Sequence, residues 1–182
     1  MKKDTSLELL NAADELGFEA HSATGDHAAL KLWLRMLSCT NQIEAEIRRR
    51  LRVQFDTSLP RFDYLAQLYR EPEGLRMKEL SSHLMVTGAN VTGITDELER
   101  DGLVSRSSSP TDRRSWIVRL TPKGRSHFET MAQEHEQWIL ELFACLSAPA
   151  LAQLYQQLGS LRVHVLDKQS SAIGSGEPFA KS

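Results

Sequence analysis

Apolar positions recur at helical spacing over most of this 182-residue chain, and one short stretch alternates instead. Leu30, Leu34 and Leu37, then Ile43, Ile47 and Leu51, step by three or four and predict a long helix over about 26–55. Asp56, Thr57 and Ser58 break it, and Pro60 suits the first turn of a second helix through Tyr69, with Phe62, Leu65 and Leu68/Tyr69 on its core side. After a Glu71-Pro-Glu-Gly turn, Met77, Leu80 and Leu84 fall at i, i+3, i+7, as do Val91, Ile94 and Leu98. The connection Met85-Val-Thr-Gly is tight, Thr87 is an N-cap for the second of these helices, and Asp101-Gly102 closes it. The pair has the proportions of a helix-turn-helix.

Leu103 to Arg106 then reads as a short strand, and Trp116, Val118 and Leu120 share one face of a second. The polar residues 107–115 form the tip of this hairpin. Thr121 and Pro122 start a long helix to about Leu146, with Phe128, Met131, Trp138, Leu142 and Cys145 near its apolar face. A last helix restarts at Ser147-Ala-Pro149. Its Leu151, Leu154, Leu158, Leu161 and Val165 form a heptad seam, which packing inside one chain and a dimer interface explain about equally well. The expected fold is mainly α with a small β-hairpin wing, a winged helix-turn-helix flanked by long helices.

Composition changes this picture little. Hydrophobic residues at 41% and charged residues at 25% describe a globular protein. The apolar runs are too short to span a bilayer, and Asp4, Glu8, Asp14 and Glu15 interrupt any signal-peptide core, so no membrane is expected and a cytoplasmic protein is the default. Cys39 and Cys145 supply neither a disulfide framework nor a CxxC pair. The six histidines have no metal-ligand spacing, and no phosphate loop or nucleophile turn is present. No metal, cofactor or enzyme activity is therefore expected.

Charge matters more once it is resolved along the chain. The formal net charge of −2 speaks against a nucleic-acid partner. Residues 104–125, however, carry Arg106, Arg113, Arg114, Arg119, Lys123 and Arg125 against Asp112 alone, a net of +5 on the wing. A helix of this size fits the DNA major groove, and the hairpin tip beside it reaches the backbone or the minor groove. Double-stranded DNA is the partner this distribution indicates.

The run from Asn90 to Val104, then Asp112-Arg113-Arg114, Val118-Arg-Leu-Thr121 and Gly124, resembles the signature of the MarR family, and the likeness extends over about 27–166. The resemblance implies a homodimeric transcription factor, usually a repressor, whose DNA affinity falls when a small aromatic ligand binds. It also implies that the first and last helices form the dimer interface, which tips the seam toward assembly. The chain then divides into a flexible N-terminal segment (1–24), a helical dimerisation region (25–57 and 122–168), a DNA-binding winged helix-turn-helix (58–121) and a flexible tail (169–182).

Site roles follow by position. Thr87, Asn90 and Thr92 lie on the recognition helix, where an asparagine can pair bidentately with adenine. Arg113 and Arg114 would enter a minor groove, and Arg106 and Ser107 would brace phosphates. Gly93 leaves the helix face bare. The segment Arg61-Phe-Asp-Tyr-Leu-Ala-Gln-Leu-Tyr-Arg is similar to members controlling aromatic-acid catabolism, some of which respond to hydroxycinnamoyl-CoA. That likeness makes Trp33, Arg61, Tyr64 and His127 candidates to line an aromatic effector site, with Arg48, Arg49 and Arg52 taking CoA phosphates.

Plainer readings stand beside these. Asn90 can serve only as a helix-start residue, Arg113 and Arg114 as a solvated tip, and the Arg48–Arg52 cluster as a helix end favoured by the macrodipole. Cys39 and Cys145 read as buried thiols. Trp33, Trp116 and Trp138 read as core aromatics. Two other functions remain open, a thiol redox sensor using Cys39 and a winged helix that binds protein rather than DNA.

Overall fold

The computed structural model describes residues 28–84, 88–108 and 115–174. Helix α1 (Ala28–Phe55) buries only Ile47 and Leu51, near its C-terminal end. It stops at Asp56, whose φ of 47° is a left-handed conformation that short polar side chains tolerate. The amides of Asp56 and Thr57 close the end on the carbonyls of Arg52 and Leu51. Helix α2 (Leu59–Arg70) carries proline in its first turn, as expected, and buries Phe62, Tyr64, Leu65 and Leu68.

The sheet has one strand more than the pattern announced. Strand β1 (Leu75–Arg76) precedes α3 (Met77–His83) and α4 (Gly88–Arg100), and β2 (Val104–Ser108) and β3 (Trp116–Leu120) follow. The three strands are antiparallel in the order β1-β3-β2, with Leu75 opposite Val118 and Arg106 opposite Val118 from the other side. The expected two-stranded hairpin is thus a three-stranded sheet, because β3 offers a second edge and the 71–74 turn delivers Leu75 onto it. Gly74 makes the approach possible: its φ is 86°, and a Cβ there would lie 2.5 Å from the Val118 carbonyl oxygen.

Helix α5 (Pro122–Phe143) begins where Thr121 accepts the Gly124 amide at 3.0 Å and donates its hydroxyl to the Gly102 carbonyl at 2.7 Å. Helix α6 (Ala148–Gly174) follows. The described residues form two compact units, one up to Trp138 and one from Ile139.

In the first unit, Leu51, Tyr64, Leu65, Leu68, Leu80, Val91, Leu98, Val104, Val118 and Met131 are almost completely buried. The ring of Trp138 packs 6.2 Å from that of Phe55, so this tryptophan is core as expected. The other two are not. Trp33 is 56% and Trp116 52% exposed. Cys39 and Cys145 are likewise exposed rather than buried. In the second unit the seam from Leu151 to Val165 is 38–45% exposed at every position. No single helix among the described residues is long and apolar enough to cross a membrane.

Candidate nucleic-acid interface and the cleft behind it

Helix α4 is anchored by one face and open on the other. Val91, Thr95 and Leu98 are buried, whereas Asn90, Thr92 and Gly93 are exposed. The anchor is polar at its centre. The Tyr64 hydroxyl meets Thr95 Oγ1 at 2.5 Å, and Thr95 donates to the Val91 carbonyl at 2.6 Å, so Tyr64 is the donor of the pair. Burial of the Tyr64 phenol pushes its pKa up to about 12, with the Thr95 bond acting in the opposite sense.

The C-terminal half of α4 is acidic, with Asp96, Glu97, Glu99 and Asp101 in or just past it, which is an unfavourable endowment for a helix approaching phosphates. Two arginines answer it from opposite sides. From β2, Arg106 Nη1 lies 2.7 Å from Asp96, and its Nε donates to Glu99 at 2.8 Å. From α2, Arg61 pairs with Asp101 and stands 3.8 Å from Glu97. Arg106 therefore faces the recognition helix. Its guanidinium is shared between two carboxylates, Asp96 and Glu99. Ser107 stays exposed and accepts a hydrogen bond from Arg119 at 2.8 Å. Thr87, Arg113 and Arg114 lie outside the described residues.

Arg61 also lines an open cleft of about 650 Å³ at the C-terminal end of α4. Phe55 and Leu103 contribute apolar wall, and Arg61, Arg100, Lys123 and His127 bring positive or titratable nitrogen, opposed by Asp56 and Asp101. The His127 imidazole lies edge-on to Phe55, with centroids 6.4 Å apart. Its pKa is held below the ordinary value, first by burial and then by the neighbouring charges of Lys123 and Arg61.

Of the effector candidates, the structure brings Arg61 and His127 together. Tyr64 belongs to the core, fully buried on Thr95, and does not line the cleft. Trp33, Arg48, Arg49 and Arg52 are not part of its wall either. Arg48 pairs with Glu44 at 2.5 Å and Arg49 with Glu46 at 2.7 Å, one turn away on the same helix. Glu46 also holds Arg50 at 2.7 Å, and these two guanidiniums lower its pKa to about 2. Arg48, Arg49 and Arg50 therefore serve α1's own carboxylates. Sequence reading missed Phe55, Arg100, Asp101 and Lys123, which only the chain's path gathers beside Arg61.

The MarR family pattern matches residues 57–116. The chain is 31% identical over 146 residues to the uncharacterized HTH-type transcriptional regulator YdgJ of Bacillus subtilis (strain 168), spanning 74% of this chain and 87% of that protein. This chain belongs to the MarR family. A MarR family transcriptional regulator from Silicibacter pomeroyi superposes with a TM-score of 0.66 at 28% identity, over 78% of this chain and 99% of that one. Sco3205, a MarR family regulator from Streptomyces coelicolor solved in complex with DNA, shares the fold with a TM-score of 0.69 at 20% identity, over 81% and 91% of the two chains. As a MarR-type winged helix, the protein is a DNA-binding transcriptional regulator, not an enzyme.

Proposed function

We propose that this MarR-type regulator is a homodimeric repressor that leaves a palindromic operator when a small aromatic acid, free or as its CoA thioester, binds it. The observation that carries the assembly is the α6 seam. Leu151, Leu154, Leu158, Leu161 and Val165 are spaced for a partner helix and remain exposed in the single chain. Two copies related by a two-fold axis would set their α4 helices into successive major grooves, at half-site centres about 10 bp apart. Asn90 would read adenine and Thr87 and Thr92 neighbouring groups, while Arg113 and Arg114 would take the minor groove. The basic, part-apolar cleft supports an acidic ligand with a ring.

The test uses the full-length protein on a two-half-site duplex, with footprinting, a reporter gene and added hydroxycinnamates or their CoA esters. Expected are protection of both half-sites, reporter silencing and loss of protection with acid or ester. Binding as a single copy would refute the assembly, and undiminished protection with every compound would refute the effector class.

A further inference from the structure

Among the described residues, the large apolar side chains that stand exposed lie on α1, α5 and α6, except for Trp116 in the wing. Directly opposed residues of an antiparallel pair share a face of the sheet. Val104 with Leu120, Arg106 with Val118, and Ser108 with Trp116 therefore make up one face of the β2–β3 hairpin. That face looks onto α4: Val104 and Val118 are buried, and Arg106 reaches Asp96 and Glu99 on the helix. Trp116 stands one pair farther out on the same face, about 7 Å along the strand from Val118. Its ring is 52% exposed, and Ser108 opposite it is small and exposed as well. Arg119 and Ser107, bonded to each other, belong to the other face.

We infer that Trp116 packs its indole against the sugar face of the DNA backbone, an apolar contact that seats the wing without reading sequence. This rests on the docking proposed above. With α4 in a major groove and the wing tip at the neighbouring minor groove, one sugar-phosphate strand runs between helix and wing. The wing face that looks onto α4 then looks onto that strand, and its outermost side chain is Trp116. Deoxyribose presents C–H surface between the phosphates, which a flat ring covers, and the indole N–H at the ring's edge is a donor for a phosphate oxygen.

The contact complements the charges around it. Residues 104–125 carry a net of +5, and Arg113 and Arg114 precede Trp116 by only three and two residues. Arginine attraction is long-range and falls with salt, whereas apolar burial is short-range and releases no counterion. The tryptophan thus adds affinity that persists at high salt and holds the wing at a fixed distance from the backbone.

The full-length protein and a duplex it selects from a randomised pool test this, by fluorescence anisotropy over a salt series. Expected is an affinity about tenfold lower in Trp116→Ala, the worth of roughly 60 Å² of buried apolar surface. The slope of log K against log salt should not change, and Trp116→Phe, which keeps a flat ring, should recover most of the loss. Fluorine NMR of the fluorotryptophan-labelled wild type supplies a second readout, with one resonance for each of the three tryptophans. The Trp116 resonance, assigned by its loss in Trp116→Phe, should shift on adding duplex and become shielded from a soluble paramagnetic agent, with buried Trp138 as the reference. Wild-type affinity in Trp116→Ala, or a Trp116 resonance equally accessible in the complex, overturns the inference. So does a salt slope shallower by about 0.9, which would make the ring only a support for an arginine. Shielding that grows with protein concentration in the absence of DNA would assign the ring to a second copy instead. Failure of the wild type to select any duplex would sink the docking of α4 and wing together with this contact. Binding lost in Asn90→Ala but undiminished in Trp116→Ala would leave that docking standing and sink the contact alone.

Discussion

Arg106 in β2 and Asp96 in α4 hold their charged groups 2.7 Å apart, which fastens the wing to the recognition helix through side chains as well as through the chain between them. Glu99 shares the same guanidinium. This arginine and Arg61 divide the carboxylates of α4's acidic half between them.

Arg106→Ala should therefore injure DNA binding more than folding. The pairs are partly exposed, so stability should fall by only about 0.5–1 kcal/mol. Affinity should drop several-fold, because Asp96 and Glu99 are left uncompensated near phosphates. Adding Asp96→Asn and Glu99→Gln should restore it, as read by fluorescence anisotropy over a salt series. If Arg106 touched phosphate itself, neutralising the two acids would bring no recovery, and the salt slope would stay shallower by about 0.9.

The Tyr64–Thr95 contact sets an order between two substitutions. Tyr64→Phe removes a donor and leaves Thr95 bonded to Val91, which should cost about 1 kcal/mol. Thr95→Val leaves the Tyr64 hydroxyl buried without a partner and should cost more, about 2–3 kcal/mol. Calorimetric melting distinguishes them, and the reverse order would contradict the hydrogen-bond assignment.

The same tyrosine should make stability fall in alkali. Its folded pKa of about 12 exceeds the ordinary 10.0, so the unfolded chain loses this proton first as pH rises. Stability is intact below about pH 10 and declines toward pH 12, by about 2–3 kcal/mol from this group. Tyr64→Phe should show a shallower decline than the parent across that window in denaturant titrations.

Two glycines should respond in opposite directions to alanine. At Gly93 in α4 a Cβ meets nothing within 4 Å, so Gly93→Ala should raise stability by about 0.5–1 kcal/mol through helix propensity. At Gly124 a Cβ would fall 1.9 Å from the Leu103 carbonyl oxygen, and that backbone is fixed by the start of α5. Gly124→Ala should cost about 2 kcal/mol or more, lowering the melting temperature where Gly93→Ala raises it.

Leu158→Glu tests the seam. A carboxylate at the centre of an apolar helix–helix contact should convert a dimer into a monomer in sedimentation equilibrium, and the far-ultraviolet signal of the winged-helix unit should persist. Sedimentation of Leu158→Glu as a dimer would place the interface elsewhere.

The secondary structure was largely legible because its causes are local. Proline at 60 and 122, the Asp101-Gly102 stop and three- or four-residue apolar spacing act over a turn or two, and the elements fall within a few residues of where those signals place them. The exceptions have non-local causes. A two-residue strand such as Leu75–Arg76 has no period to detect and exists because β3 presents an edge. Residue type also revealed that Trp33, Trp116, Cys39 and the Leu151–Val165 seam would favour cover, without revealing that the single chain leaves them exposed.

By itself, then, the sequence determined the order of the helices, the wing and its concentration of positive charge, all consequences of spacing and composition over short distances. Tertiary structure alone decided which charges meet. Arg61 and Asp101 are forty residues apart, and Arg106 and Asp96 ten, yet each pair forms because α2 and β2 pack against the same helix. A Coulombic partner is chosen by distance in space, and no periodicity along a chain encodes that distance. The pairing of Arg106 with Asp96 and Glu99, and the place of Arg61 as the cation shared by helix and cleft, follow from the fold.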